Sequence, residues 1–286
     1  MFAVLASFVR TQTIAAACET PPPPPAVVQV PSDIQTALTV ISRRDPSHNL
    51  GFRLDFRRAC LDGANMIGAQ LNGRPIGASY LVTEDGGGVD LGQAHLNNAK
   101  LVGTHLVSAG LADAHLSGAD VSSSDLSGAD LTGADLSGAY LLYTDFTNAN
   151  LQNANLRNAG MSATNLRAAD LDKADLTGAD LTGADLSSAS LRGVILRGAD
   201  FESLELAVVL TTNMPYANLD GADLTGVNLT RVNLTGAKLT GTNLNGAHLT
   251  RVDLTGANLT GANLTDIVYD SSTRWPAGFT PPPSAR

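Results

Sequence analysis

The 286-residue chain is 43% hydrophobic but only 5% aromatic and 16% charged, with a formal net charge of −9. These totals exclude a core built on large aromatic side chains and favour one of stacked Leu and Ala, and no stretch approaches the roughly 18 apolar residues of a membrane span. The charge is uneven: residues 1–110 and 207–286 are each neutral, whereas residues 111–206 hold 14 acids against 5 bases. Such a band argues against direct nucleic-acid binding and suits a basic protein surface, or solubility alone.

In chain order, Met1 to Val9 is apolar. No positive residues precede it and Arg10 and Gln12 break it, so a short amphipathic helix is expected rather than a signal peptide. Cys18 and Cys60 make no disulfide framework, which leaves a reducing cytoplasm as the expected compartment. Pro21 to Pro25 is a stiff polyproline linker, and residues 1–30 are set apart as N-terminal segment and linker. Pro31-Ser32-Asp33-Ile34-Gln35 reads as a helix start, with Ser32 as N-cap and Gln35 as its reciprocal capping-box partner. Ile34, Ala37, Leu38 and Ile41 share one face, which predicts a helix over 33–44 within a cap and connection spanning 31–53.

From residue 54 to 266 the chain repeats every five residues, as in Ala119-Asp120-Val121-Ser122-Ser123 and Ala129-Asp130-Leu131-Thr132-Gly133. The unit is A-(D/N)-L-(S/T/R)-(G/N), with Leu at its centre. Centres run from Phe56 to Leu81, from Leu91 to Leu206 and from Leu219 to Leu264, forty in all. A period of five fits neither the 3.6 of an α-helix nor the 2 of a strand, but it fits a chain that turns a corner every five residues. Arg231-Val232-Asn233-Leu234-Thr235-Gly236-Ala237 recurs twenty residues later as Arg251-Val252-Asp253-Leu254-Thr255-Gly256-Ala257, so four pentapeptides make one coil. Centres such as Leu131, Leu136, Phe146, Leu176, Leu181, Leu234 and Leu254, with the residue two before each, most often Ala, are expected to point inward. The repeat resembles the pentapeptide-repeat family, and the resemblance implies an all-β, right-handed quadrilateral parallel β-helix, here with a short N-terminal capping helix.

Two stretches interrupt the array. Residues 82–90 put Gly86 at a centre, and residues 207–218 follow a 13-residue step from Leu206 to Leu219 that five does not divide. Gly86-Gly87-Gly88 is no phosphate loop, since no GK(S/T) follows. Both open ends of a β-helix need covers. At the C-terminal end, within residues 267–286, Trp275 and Phe279 are expected to plug the last coil. This ending resembles one common in the family.

Residues just before each centre form outward ladders. One reads His95, His115, Asp135, Asn155, Asp175, a flat array without a tetrahedral pocket, so no metal or other cofactor is expected. Another reads Asp85, His105, Asp125, Asp145, Asn165, Asp185, Glu205; its acids Asp125, Asp145, Asp185 and Glu205 are a candidate interaction ladder. Tyr140, Leu142 and Tyr143 replace the usual Asp, Ser and Gly and form a candidate exposed contact. No catalytic constellation occurs on this convex repeat. The expected function is a non-catalytic protein–protein interaction scaffold for an unidentified, basic-surfaced protein. Resemblance implies an alternative: some family members mimic duplex DNA and protect type II topoisomerases, commonly as dimers joined through a C-terminal helix that Pro-Pro-Pro-Ser-Ala-Arg here does not continue.

Overall fold

The computed structural model describes Val9, Thr36, Ala37, Phe56, Leu61 and residues 89–201 and 212–285. From Asp90 onward the chain is a four-sided parallel β-helix in which each side contributes a single-residue bridge to the residue twenty positions on. The first face carries Asp90, Gly110, Asp130, Asn150 and Asp170; the second His95, His115, Asp135, Asn155 and Asp175. The third carries Lys100, Asp120, Tyr140, Gly160 and Asp180; the fourth His105, Asp125, Asp145, Asn165 and Asp185.

One repeat shows why the sequence takes this form. The Ala129 N–H donates to Leu126 O (3.0 Å), closing a corner, while Asp130 N–H reaches back one coil to Ala109 O (2.9 Å). Leu131 and Gly133 N–H groups reach forward to Asn150 O (2.7 Å) and Gln152 O (2.8 Å). Four of five backbone donors are thus spent on turn and ladder. The fifth, Thr132 N–H, has no backbone acceptor and donates to the Asp130 side chain, Oδ1, at 3.1 Å. Asp or Asn stands before most centres because a short side-chain acceptor is favoured there. Gly133 sits at φ 68°, and a Cβ on it would come within 2.5 Å of Asp113 Oδ1 from the coil before.

The interior is a continuous stack of centres and alanines. Leu131, Leu136, Phe146, Leu176, Leu181, Leu234 and Leu254 are all buried, as expected. Along the inner edge of the fourth face Thr or Ser replaces Ala: Thr104, Ser124, Thr144 and Thr164 are buried. Their hydroxyls satisfy corner carbonyls of the preceding coil, Ser124 to Leu101 O (2.6 Å), Thr144 to Val121 O (3.0 Å) and Thr164 to Leu141 O (3.0 Å).

Both interruptions are resolved by register. Asp185 bridges Asn213, and Ser190 bridges Asn218, 28 residues on instead of 20. The coil therefore holds eight extra residues, and the centre after Phe201 is Met214, not Leu206. Thr212 to Asn218, expected to be irregular within 207–218, are back on the ladder, and both Met214 and Ala217 are buried. On the other side, Phe56 N–H donates to Asp90 O (2.7 Å) and Leu61 N–H to His95 O (2.6 Å), where Leu91 N–H donates to Gly110 O. Phe56 thus stacks on Leu91, 35 residues away, fifteen more than separate neighbouring rungs in the regular array. The phase persists across it, but Val89 and Asp90, expected to be irregular within 82–90, already belong to the regular array: Val89 is buried and Asp90 bridges Gly110.

At the N-terminal side Val9, Thr36 and Ala37 are helical, and Val9 and Ala37 are buried with the core; Ser32 and Gln35 lie outside the described residues. At the other end Tyr269 packs edge-on against Trp275 (5.2 Å between ring centroids), and Trp275 stacks on Phe279 (5.4 Å). All three rest against the core, and Tyr269 Oη donates to Pro282 O (2.9 Å), holding the tail across the end.

Two outcomes are expected. Leu176→Lys buries an unpartnered charge and should lower stability by more than about 3 kcal/mol, whereas Thr177→Lys, on the outward side, should cost under about 1 kcal/mol; chemical denaturation measures both, and equal losses would contradict the register. Deleting residues 204–211 restores a five-residue step from Phe201 to Met214 and puts Ser203 at the corner position that Ser123 and Ser188 occupy with φ of 57° and 61°. That variant should fold with an undiminished melting temperature; its loss of cooperative melting would contradict the eight-residue insertion.

Candidate interaction site

The four-sided ladder brings Asp125, Asp145 and Asp185 onto one face, through the bridges Asp125–Asp145, Asp145–Asn165 and Asn165–Asp185. Glu205 is not their continuation: the insertion displaces it, and Asn213 takes the next rung. Glu205 itself lies outside the described residues, as does Asp85. Each of the three carboxylates accepts a backbone N–H two residues on, from Ser127 (3.0 Å), Thr147 (2.8 Å) and Ser187 (3.0 Å). Asp185 also meets Arg167 at 3.3 Å. His105 heads this face above Asp125, and its Nδ1 is buried with no hydrogen-bond partner among the described residues.

The negative charge separates into two zones. From Arg157 on, several acids are ion-paired across coils: Arg157 with Asp175 (2.9 Å) and Arg197 with Asp223 (2.7 Å) diagonally, and Arg192 with Asp172 (2.8 Å) one coil directly on. Between Lys100 and Arg157 the sequence has no Lys or Arg, yet it holds Asp113, Asp120, Asp125, Asp130, Asp135 and Asp145. The fold brings these six round all four faces of neighbouring coils. Charge segregation of this kind follows from sequence counting; the diagonal pairing, which spans 18 or more residues, does not.

Tyr140, Leu142 and Tyr143 stand within the unneutralised zone. Tyr140 is 62% exposed, Leu142 43% and Tyr143 64%. Tyr140 sits on the third face between Asp120 and Gly160, and Leu142 and Tyr143 make the corner leading to Asp145. Tyr143 holds φ 58°, a conformation that is uncommon for a bulky side chain. The other aromatic residue so held, Tyr216 (φ 59°), lies across Gly236, where a Cβ would come within 2.7 Å of its ring. Tyr143 has only Ala163 at the same corner of the next coil.

The His95 and His115 rings stack with centroids 4.5 Å apart and planes 21° from parallel, so their in-plane nitrogen lone pairs run side by side instead of converging on a shared ion. Among the described residues no group of three or more His, Cys, Asp or Glu is placed to hold a metal. A hollow of 520 Å³ at the C-terminal end is lined by Ala262, Leu264, Phe279 and Pro281 and bears no ionisable group. No helix among the described residues is long and apolar enough to cross a membrane.

Asp172, at the corner after Leu171, is the one buried carboxylate among the described residues. Burial raises its pKa, but hydrogen bonds from Ser190 and Arg192, with the Arg192 charge, outweigh that and hold it below the usual carboxylate range. Asp175, Asp180 and Asp223 are shifted the same way, burial again being overcome by hydrogen bonds from Thr177, from Ser162 and Thr182, and from Thr225. A folded-state pKa below the unfolded value gives stability that is complete above about pH 4 and disappears as pH falls through the folded value. The melting temperature should therefore be flat from about pH 8 to 5 and drop below about pH 4. Asp172→Ala should cost about 1–3 kcal/mol by stranding the Arg192 and Ser190 donors, and Asp172→Asn less, as its amide oxygen still accepts. Thermal melts across pH check both.

The profile described as pentapeptide repeats matches eight copies, over residues 90–128, 124–162, 161–198, 211–231 and 228–266. None of the curated proteins matches the sequence. Among solved structures the chain is similar to HetL, a pentapeptide-repeat protein involved in heterocyst differentiation regulation from the cyanobacterium Nostoc; identity is 32% over 74% of this chain and 86% of that one, with a TM-score of 0.43. It is 35% identical to the pentapeptide-repeat protein Rfr23 from the cyanobacterium Cyanothece over 37% of this chain and 63% of that one, TM-score 0.19. It is 18% identical to QnrB1, a plasmid-mediated fluoroquinolone resistance protein, over 62% of this chain and 89% of that one, TM-score 0.37. The profile match over more than half the chain, together with the twenty-residue bridge register, makes this protein a member of the pentapeptide-repeat family.

Proposed function

We propose that the protein is a non-catalytic scaffold that binds another protein through its outer faces. The observation that carries this reading is the distribution of Asp over positions where the fold is indifferent to charge. The turn needs one oxygen before each centre, and Asn supplies it as well as Asp does: Asn228 and Asn233 accept from Thr230 and Thr235 at 3.1 Å, as Asp130 does from Thr132. In the C-terminal coils the position is mostly Asn; between residues 113 and 145 it is Asp wherever it is acidic or amide. The negative zone is therefore a property of the surface that folding does not require, and it faces a partner of opposite charge. With centres and alanines filling the interior, the faces are what this rod has to offer.

A second reading draws on the same zone. A convex acidic rod can stand in for duplex DNA in the basic groove of a type II topoisomerase, as some members of this family do. Asp125→Asn, Asp145→Asn and Asp185→Asn together remove three charges from one face and keep the turn acceptors. If the protein is a DNA mimic, purified chain at micromolar concentration should alter gyrase supercoiling, the effect should weaken steeply with salt, and the triple variant should lose most of it while melting unchanged. The scaffold reading predicts no effect on supercoiling and a nuclease-resistant, near-stoichiometric protein retained by the immobilised whole chain from its source cells; a chain that retains no protein at any salt concentration contradicts it.

A further inference from the structure

We infer that Tyr140, Leu142 and Tyr143 form a docking surface for an arginine-bearing extended segment of a partner protein, which rests on the scaffold reading and names its contact. Three departures from the repeat coincide here. Tyr140 replaces the Asx acceptor, so the Leu142 N–H loses the side-chain hydrogen bond that Ser122 and Ser127 receive from Asp120 (3.2 Å) and Asp125 (3.0 Å). Leu142 replaces a small hydroxyl residue and is exposed. Tyr143 takes a left-handed corner conformation that the same corner gives to Gly103, Ser123, Ala163 and Gly183 elsewhere along the rod. The lost acceptor and the bulky residue at positive φ work against the turn, and none of the three new side chains is buried. Strain at an exposed, over-determined position points to a use outside the fold.

The surroundings decide what the patch receives. Asp120 lies one rung before Tyr140, about one strand spacing away, with Lys100 on the rung before that, and Asp125 and Asp145 lie on the fourth face beyond the corner. No Lys or Arg lies between residues 101 and 156. The nearest cations along the chain, Arg157 and Arg167, are engaged by Asp175 and Asp185 farther along the rod. Gly160 and Ala163, on the coil after, are small and leave that side of both rings open. Exposed tyrosines ringed by unneutralised carboxylates fit guanidinium groups: an arginine stacks on the ring face while its N–H groups reach carboxylate oxygens. An apolar residue between arginines would cover Leu142. The same charge repels nucleic acid and anionic lipid. The corner beneath is held rigid by the Thr144 and Thr164 hydroxyls, so binding requires little ordering of this side.

The test uses the whole chain, a fluorescein-labelled peptide repeating Arg-Gly-Leu, and the same peptide with Glu for Arg. The triple variant Tyr140→Asp, Leu142→Ser, Tyr143→Gly restores the repeat. It should melt at the same or a higher temperature yet bind the arginine peptide at least about tenfold more weakly in fluorescence anisotropy. Asp120→Asn, Asp125→Asn and Asp145→Asn, with the tyrosines intact, should weaken binding and flatten its salt dependence. Equal affinity of wild type and repaired chain, or equal binding of the glutamate peptide, overturns the proposal. A fall in melting temperature on repair also overturns it, because the three side chains would then serve the fold. So does a wild-type chain that sediments as a dimer and a repaired chain that sediments as a monomer, which would make the occupant a second copy. If the repaired chain still retains the protein captured by wild type, this surface is wrong and the scaffold reading stands.

Discussion

Each regular pentapeptide of the array presents a backbone N–H that neither the turn nor the ladder can accept. At most rungs a side-chain oxygen two residues earlier satisfies it, as Asp130 does for Thr132. Much else follows from that one donor. The acceptor must be short, so Asp and Asn dominate; it must sit before the centre, so the centre points inward and the acceptor outward. A position that takes Asp or Asn with equal ease is therefore delivered to each face at most rungs, about 4.8 Å apart. The outer surface of the rod is a by-product of completing the inner hydrogen-bond account, and it is open to variation in charge without cost to the turn.

The interior obeys a different limit. A corner closed by a bond such as Ala129 N–H to Leu126 O leaves room for a small residue two before each centre and one larger chain at the centre. Where the corner accepts a hydroxyl instead of a methyl, as at Thr144 and Thr164, the side chain is tied to a carbonyl of the coil before. The fourth face thus has its acids outside and its hydroxyls inside along the same edge. The rod adds residues without losing register: eight residues before Thr212 shift the bridge from 20 to 28 positions and leave Asn213, Asn218 and Asp223 on the faces they would otherwise hold.

Charge and shape act together on function. Arginines from Arg157 on pair with Asp172, Asp175, Asp185 and Asp223, whereas the stretch between Lys100 and Arg157 holds six acids and no Lys or Arg. The exposed tyrosines fall in that zone. Coincidence of apolar exposure with unpaired charge is what distinguishes this part of the surface from the uniform ladders elsewhere.

The sequence by itself determined the repeat, the four sides, the inward column from Leu131 to Leu254 and the outward placement of Asp125, Asp145 and Asp185, because these are local: period and corner chemistry act within five residues and copy themselves every twenty. It also made Tyr140, Leu142 and Tyr143 visible as departures from that pattern. Only the tertiary structure decided which rungs are neighbours across an interruption. Counting by fives put Glu205 after Asp185 and Leu206 after Phe201, whereas Asn213 and Met214 occupy those places. It likewise decided that Phe56 stacks on Leu91 and that Arg192 reaches Asp172. Those pairings join residues 20 to 35 positions apart, and a spacing written in pentapeptides does not say how many residues separate one rung from its neighbour on the next coil.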